Sequence, residues 1–233
     1  MDYFDNREAG RIAVDRENGQ KTALLHYWLV AMRGGERVFE QLCRLFPEAD
    51  IYTHACCRDR LSAEITRHPI RESMIARLPG GRRFCQCCLP LMPAAQKRWD
   101  FSEYELLFSS ESGPVKGVRK PAGCRHICYC HTPIRYVWDF YYTYRANANW
   151  LARLVMPGQM HKMRIWDKCA ADRVDYFIAN SHYIAQRIKK YYRRDSDVIY
   201  PCCHINESPF VEKEDFYLTV GRLTWYKLSL IHI

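Results

Sequence analysis

The run Ala23-Leu24-Leu25-His26-Tyr27-Trp28-Leu29 is apolar nearly throughout. A strand with one wet face alternates polar and apolar residues. A strand covered on both faces need not, and that condition belongs to parallel sheets packed between helices. Apolar segments recur at Glu105–Ser110, Arg125–His131 and Asp175–Asn180. After the first strand, Val38, Phe39, Leu42, Leu45 and Phe46 fall at helical spacing, a single buried stripe from Glu36 that Pro47 closes. Asp50-Ile51-Tyr52-Thr53 then begins another strand. Strands alternating with helices predict an α/β fold built on a doubly wound sheet.

His54 to Asp100 is less regular, with short helices expected near Arg82–Cys88 and Ala94–Trp99. Glu111-Ser112-Gly113-Pro114 reads as a polar turn after the strand at 105–110. The aromatic and basic stretch Tyr136–Trp166 is expected to be part helix and part mobile loop around Asn147 and Asn149, with a helix over Met163–Ala171. Ser181 is a candidate N-cap for a helix running to Tyr192. Val198-Ile199-Tyr200 is a short strand, and the polar segment that follows reads as a linker. Asp215-Phe216-Tyr217-Leu218-Thr219-Val220 then runs into Gly221-Arg222-Leu223, with Lys227 beyond, a strand entering a glycine turn.

Met1 to Lys21 is polar and mixed in charge, lacks the apolar core of a secretory signal and is expected to be a disordered leader. No apolar run approaches the ~20 residues of a membrane span. With 35 Lys and Arg against 26 Asp and Glu, the net charge is +9, which favours anionic partners: nucleic acid, phosphorylated small molecules or anionic lipid. The densest basic run is Arg187 to Arg194. Several of the 12 cysteines sit inside apolar strand segments, so most read as buried free thiols of a reducing compartment.

Four segments could carry chemistry. Gly34-Gly35 lies between a strand and a helix, where bare backbone admits a ligand and free amides attract anions; a tight turn is the plain alternative. Glu36 is either a ligand contact or a favourable charge in the first helical turn. His131-Thr132-Pro133 sits at a strand's C-terminal end, where open α/β sheets bind ligands; a histidine satisfied by backbone is the alternative. Glu111 and Ser112 could meet an acceptor or donor, or form a turn. Arg222 and Lys227 offer the fork and point charge suited to a diphosphate. Cys124, Cys128, Cys130 and His131, with Cys85, Cys87 and Cys88, could suggest zinc, but strand side chains alternate faces, which argues against it. Asp195-Ser196-Asp197 imitates a metal-binding pair and reads better as a turn. No nucleic-acid module is present in the sequence pattern.

Taken together these segments resemble the GT-B glycosyltransferases of family 4, especially bacterial mannosyltransferases of the O-antigen type. The resemblance is carried by His26–Val30 with Met32–Glu36, by Phe46–Ile51, Leu89–Pro93, Ser109–Gly117 and His126–Tyr136, and by Ala179–Ser181, Ile199–Pro201 and Val220–Leu223. It implies two Rossmann-like domains facing a cleft and retaining transfer with no metal or other cofactor. The donor would be a nucleotide sugar, with GDP-mannose a candidate, and the acceptor a lipid-linked saccharide in surface polysaccharide synthesis. It places the protein in the cytoplasm, peripheral to the anionic inner face of the plasma membrane, with no nucleic-acid partner.

By the same resemblance Gly34 and Gly35 lie near the donor diphosphate, His131 is the catalytic histidine at the donor sugar, and Arg222 and Lys227 neutralise the leaving diphosphate. Glu36, Glu111 and Ser112 contact acceptor or donor. The implied layout is a leader over 1–21, an acceptor domain over 22–200, a linker over 201–215 and the first strand and turn of a donor domain over 216–227. Residues 228–233 depart from the family pattern. A second domain of about 130–170 residues with a Glu-x7-Glu element is implied, and without it negligible transfer is expected. The alternative from another class is a non-catalytic phosphate- or lipid-binding Rossmann module; a zinc-stabilised nucleic-acid binder is a weaker third.

Overall fold

A computed structural model describes residues 20–83, 85–202 and 215–216. Its strands are β1 (Thr22–His26), β2 (Asp50–Thr53), β3 (Ile70–Glu72), β4 (Leu106–Glu111), β5 (Arg125–Cys130), β6 (Tyr176–Ala179) and β7 (Asp197–Val198). They form one seven-stranded sheet in the order β3-β2-β1-β4-β5-β6-β7, parallel at every pairing. The α-helices are α1 (Gly34–Leu45), α2 (Ala63–Thr66), α3 (Met92–Ala95), α4 (Arg135–Trp138), α5 (Tyr141–Ala146), α6 (Trp150–Ala171) and α7 (His182–Tyr192). Strand alternation assigns the two faces. Leu24 and Phe108 pack with Phe39 and Leu42 of α1, whereas Ala23, Leu25 and Leu107 pack with Val115 and Val118. All five residues of β1 are buried, as a strand covered on both faces requires. The fold is α/β, Rossmann-like and doubly wound. Its order reverses between β1 and β4, so their C-terminal ends flank the topological switch point where such sheets open a crevice.

The structure differs from the sequence reading in several places. β3 and α2 were not expected; both are too short for a hydrophobic period to emerge. Trp28 and Leu29 lie beyond β1, where Leu29 makes an isolated bridge to Cys56. The helix expected from Met163 begins at Trp150, and Asn149, expected in a loop, caps it by accepting from the Ala152 amide at 2.8 Å. The Ser181 cap is present, its hydroxyl accepting from the Ile184 amide. Lys21, placed in the leader, belongs to the fold: its carbonyl accepts from the Glu105 amide at 3.0 Å and its ammonium pairs with Glu103. Among the described residues nine cysteines are free, five of them buried, and no cluster of three metal-ligating side chains occurs. No described helix is long and apolar enough to cross a membrane. The described residues up to Cys202 belong to one compact unit, and the chain beyond Cys202 is assigned to a second. Apart from Asp215 and Phe216, the second lies outside the described residues, and with it the expected donor strand, Arg222, Lys227 and the tail.

Candidate functional site

The first wall of the switch-point crevice is the start of α1. The helix opens at Gly34, two residues earlier than its apolar stripe predicts, and its N-cap Arg33 makes no side-chain capping bond. Glu36, third residue of the helix, reaches back toward the amides of Arg33 and of itself. That is the acidic half of a capping box. Burial raises its pKa, and those amide contacts oppose the rise. Gly34 faces open space: a Cβ built there meets nothing within 4 Å.

The opposite wall is His131, one residue past β5. Its amide donates to the Glu111 carbonyl at 2.9 Å, and its carbonyl accepts from Asn180 Nδ2 at 3.1 Å. Its Nε2 lies 2.9 Å from Ser110 Oγ. A Cβ on Gly35 would sit 3.5 Å from His131 Nε2 and 3.8 Å from His26 Cε1, so both imidazoles pack against the bare backbone of the helix start. Burial lowers the His131 pKa to about 4. Burial, then the nearby His131, lowers that of His26 to about 3. Near neutral pH His131 is therefore an uncharged group that hydrogen-bonds a hydroxyl or a phosphate oxygen. It brings no positive charge, so an anion here depends on backbone amides or on other side chains for charge compensation.

Beside the histidines, Ser112 Oγ donates to Tyr27 Oη at 3.1 Å. Burial pushes the Tyr27 phenol up to about 12, and the Ser112 bond works against that. Glu111 is placed differently from the turn expected for it. It is the last residue of β4 and fully buried. Its carboxylate accepts from the Gly113 amide at 3.1 Å and from Lys116 Nζ at 3.2 Å. Lys116 also pairs with Asp167 at 2.6 Å. Asp167 in turn accepts from Trp138 Nε1 and Tyr192 Oη, each at 2.8 Å. Burial alone would lower the Lys116 pKa, but the two carboxylates outweigh it and hold it well above its ordinary value. Burial raises the pKa of Glu111, against the pull of Lys116. Glu111 is thus engaged beneath the crevice wall by its own protein.

Arg187, read in the sequence as part of a basic surface run, is buried. From α7 it donates to Thr132 Oγ1 and to the Pro133 carbonyl and pairs with Asp139, fixing the loop that carries His131. Of the residues singled out in the sequence, the fold brings Gly35 and His131 together. Glu36 lies in the same helical turn as Gly34 and Gly35, Ser112 is beside Tyr27, and Glu111 stands behind. His26, Tyr27, Ser110, Lys116, Asn180 and Arg187 were missed. For His26, Ser110 and Asn180 a signal existed: each is at or next to the C-terminal end of a strand.

A sequence model of the family described as Glycosyltransferase Family 4 matches residues 32–207. No curated protein matches the chain. Among solved structures, the chain is similar to Anabaena HepE in complex with UDP, at 13% identity and a TM-score of 0.43, over 78% of this chain and 44% of that one. It is similar also to the apo form of the lipopolysaccharide outer core galactosyltransferase WaaB, at 13% identity and a TM-score of 0.42, over 81% of this chain and 47% of that one. The chain thus spans less than half the length of either.

Proposed function

The chain belongs to glycosyltransferase family 4, and on that premise we propose that the crevice between β1 and β4 serves sugar transfer from a nucleotide donor to a lipid-linked saccharide. The observation that carries this reading is the juxtaposition of His131 with Gly35, residues 96 positions apart in sequence. The start of α1, where the Arg33 side chain makes no capping bond, would meet the donor diphosphate, with Gly34 leaving room for it. His131, neutral and fixed by Ser110, Glu111 and Asn180, would bond the donor sugar or its phosphate. Charge develops on the leaving diphosphate, and that is where preorganised donors lower the barrier most. Arg222 and Lys227, outside the described residues, are proposed as donor-diphosphate cations on the family resemblance alone. Ser112 would contact acceptor or donor. Mannose from GDP-mannose, a retaining outcome and a position at the inner face of an anionic plasma membrane complete the proposal.

The test is transfer from a panel of sugar nucleotides to lipid-linked acceptors by the protein together with the implied second domain, and by the His131→Ala variant of that same protein. The variant is expected to lose about 10²–10³-fold in kcat/KM, the cost typical of one transition-state hydrogen-bond donor, with its unfolding midpoint retained. Undiminished transfer by His131→Ala overturns the proposal.

A further inference from the structure

Helix α6 is apolar on two opposite sides. Its inner side is accounted for: Met163 is buried, Met160 and Trp166 pack with Ile134 and Val137, and Ala170 and Ala171 are fully covered. Its outer side should then be polar. Instead Leu151, Leu154, Val155, Gly158, Lys162 and Ile165 follow the i, i+3, i+4, i+7 spacing of one helical face, and every one is exposed. Trp150 is 77% exposed and Leu154 74%, and Leu151, Val155 and Ile165 are each at least half exposed. Tyr142 of α5 is 78% exposed beside them in sequence.

The charge around this face has one sign. Between Asp139 and Asp167 the chain carries Arg145, Arg153, Lys162 and Arg164 and no acidic residue. Arg153 is tied to the end of α5 by the carbonyls of Arg145 and Ala146. Arg164 donates to the Val137 carbonyl at 2.8 Å and lies over the Tyr141 ring. With Arg153 and Arg164 turned to protein carbonyls, an exposed Trp-Leu-Val-Ile stripe that carries Lys162 and is preceded by Arg145 of α5 matches a helix that lies in the interface plane of an anionic bilayer. Its apolar side chains enter the headgroup boundary, Trp stays at headgroup level, and the cations meet phosphate.

We infer that the outer face of α5–α6 is the surface by which this protein docks on anionic lipid. The inference deepens the membrane part of the reading above, and it is tested by binding alone, without transfer. The purified chain is sedimented with sucrose-loaded vesicles of phosphatidylcholine, and with vesicles in which phosphatidylglycerol is mixed. It should pellet with the mixed vesicles, weakly with phosphatidylcholine alone, and less as salt rises. Lys162→Gln and Arg145→Gln should each weaken binding about five-fold. Leu154→Glu should weaken it at least about ten-fold with an unchanged unfolding midpoint, because the side chain is already exposed. A wild-type chain that stays in the supernatant overturns the inference, as does Leu154→Glu pelleting like wild type. A dimer in light scattering that Leu154→Glu dissociates also overturns it, assigning the face to a second copy. Loss of transfer with binding intact strikes only the proposed function. Transfer to a detergent-dispersed acceptor without vesicle binding strikes only the docking surface.

Discussion

At the residue scale, the two glycines of α1 separate a turn from a binding loop. Neither has the positive φ that would demand glycine, and a Cβ at Gly34 meets nothing within 4 Å. Backbone geometry therefore gives no reason for glycine at the first position of this helix, and alanine is the better helix former. We predict that Gly34→Ala leaves the unfolding midpoint unchanged or raises it, while donor affinity falls at least about ten-fold, because the added methyl takes space a diphosphate would use. Calorimetric titration with the cognate sugar nucleotide, alongside thermal unfolding, reads both. A Gly34→Ala protein that binds donor normally would return this pair of residues to a simple turn. Gly113 marks the contrast: its Cβ would lie 2.9 Å from Tyr27 Cδ2, so packing by itself accounts for that glycine. His131 and Gly35 were legible in the sequence because strand ends are where an open sheet binds. Ser110 and His26 share that position at strand ends, but a polar residue there carries no mark of which neighbour it will bond, so their contacts with His131 and Gly35 were not legible.

At the scale of elements, Lys116 joins four of them. Its ammonium bonds Glu111 at the end of β4, the Gly113 carbonyl in the turn after it, and Asp167 of α6, and it lies 5.3 Å from the ring centre of Tyr192 in α7. All are sealed from solvent. Removing the lysine strands two carboxylates in a low-dielectric interior, whereas attraction within an intact buried network only offsets the desolvation it requires. Lys116→Met is expected to lose about 3–5 kcal/mol of stability by urea unfolding. Lys116→Met with Glu111→Gln and Asp167→Asn together should recover a large part of that. If the single and triple variants are equally unstable, the loss comes from packing and not from uncompensated charge. This network was illegible beforehand. A lysine after a Gly-Pro turn in a chain of net charge +9 reads as surface, and its second carboxylate lies 51 residues on, in a helix whose early half was hidden. That half was hidden because α6 is apolar on both sides and carries Pro157-Gly158, so no single-face period stands out.

At the scale of the whole molecule, the layering was readable from the apolarity of β1, β4 and β5, since only burial on both faces tolerates such segments. The order of the strands was not, because nothing local in a strand names its neighbour. The same two-sided burial that made the sheet legible has a consequence for pH. Burial lowers the pKa of His26 and His126 to about 3, and that of His54 and His131 to about 4. In the unfolded chain each titrates near 6.5. Between those values the unfolded state holds the protons, so stability declines as pH falls from about 6.5 toward 4, by about 1.4 kcal/mol per pH unit for each histidine. Glu36 and Glu111 act in the other direction: their raised pKa lets the folded state take up protons first. Four histidines set a ceiling of about 5.6 kcal/mol per pH unit, and proton uptake by the two carboxylates lowers the net destabilisation below it. We therefore expect urea midpoints that hold from pH 8 to about 7 and then drop steeply toward pH 5, with His126→Gln, which removes one titrating group, giving a shallower drop. A midpoint that stays level or rises on acidification would mean that these imidazoles take up protons in the native state, and with that the neutral His131 on which the proposed donor contact rests would be lost.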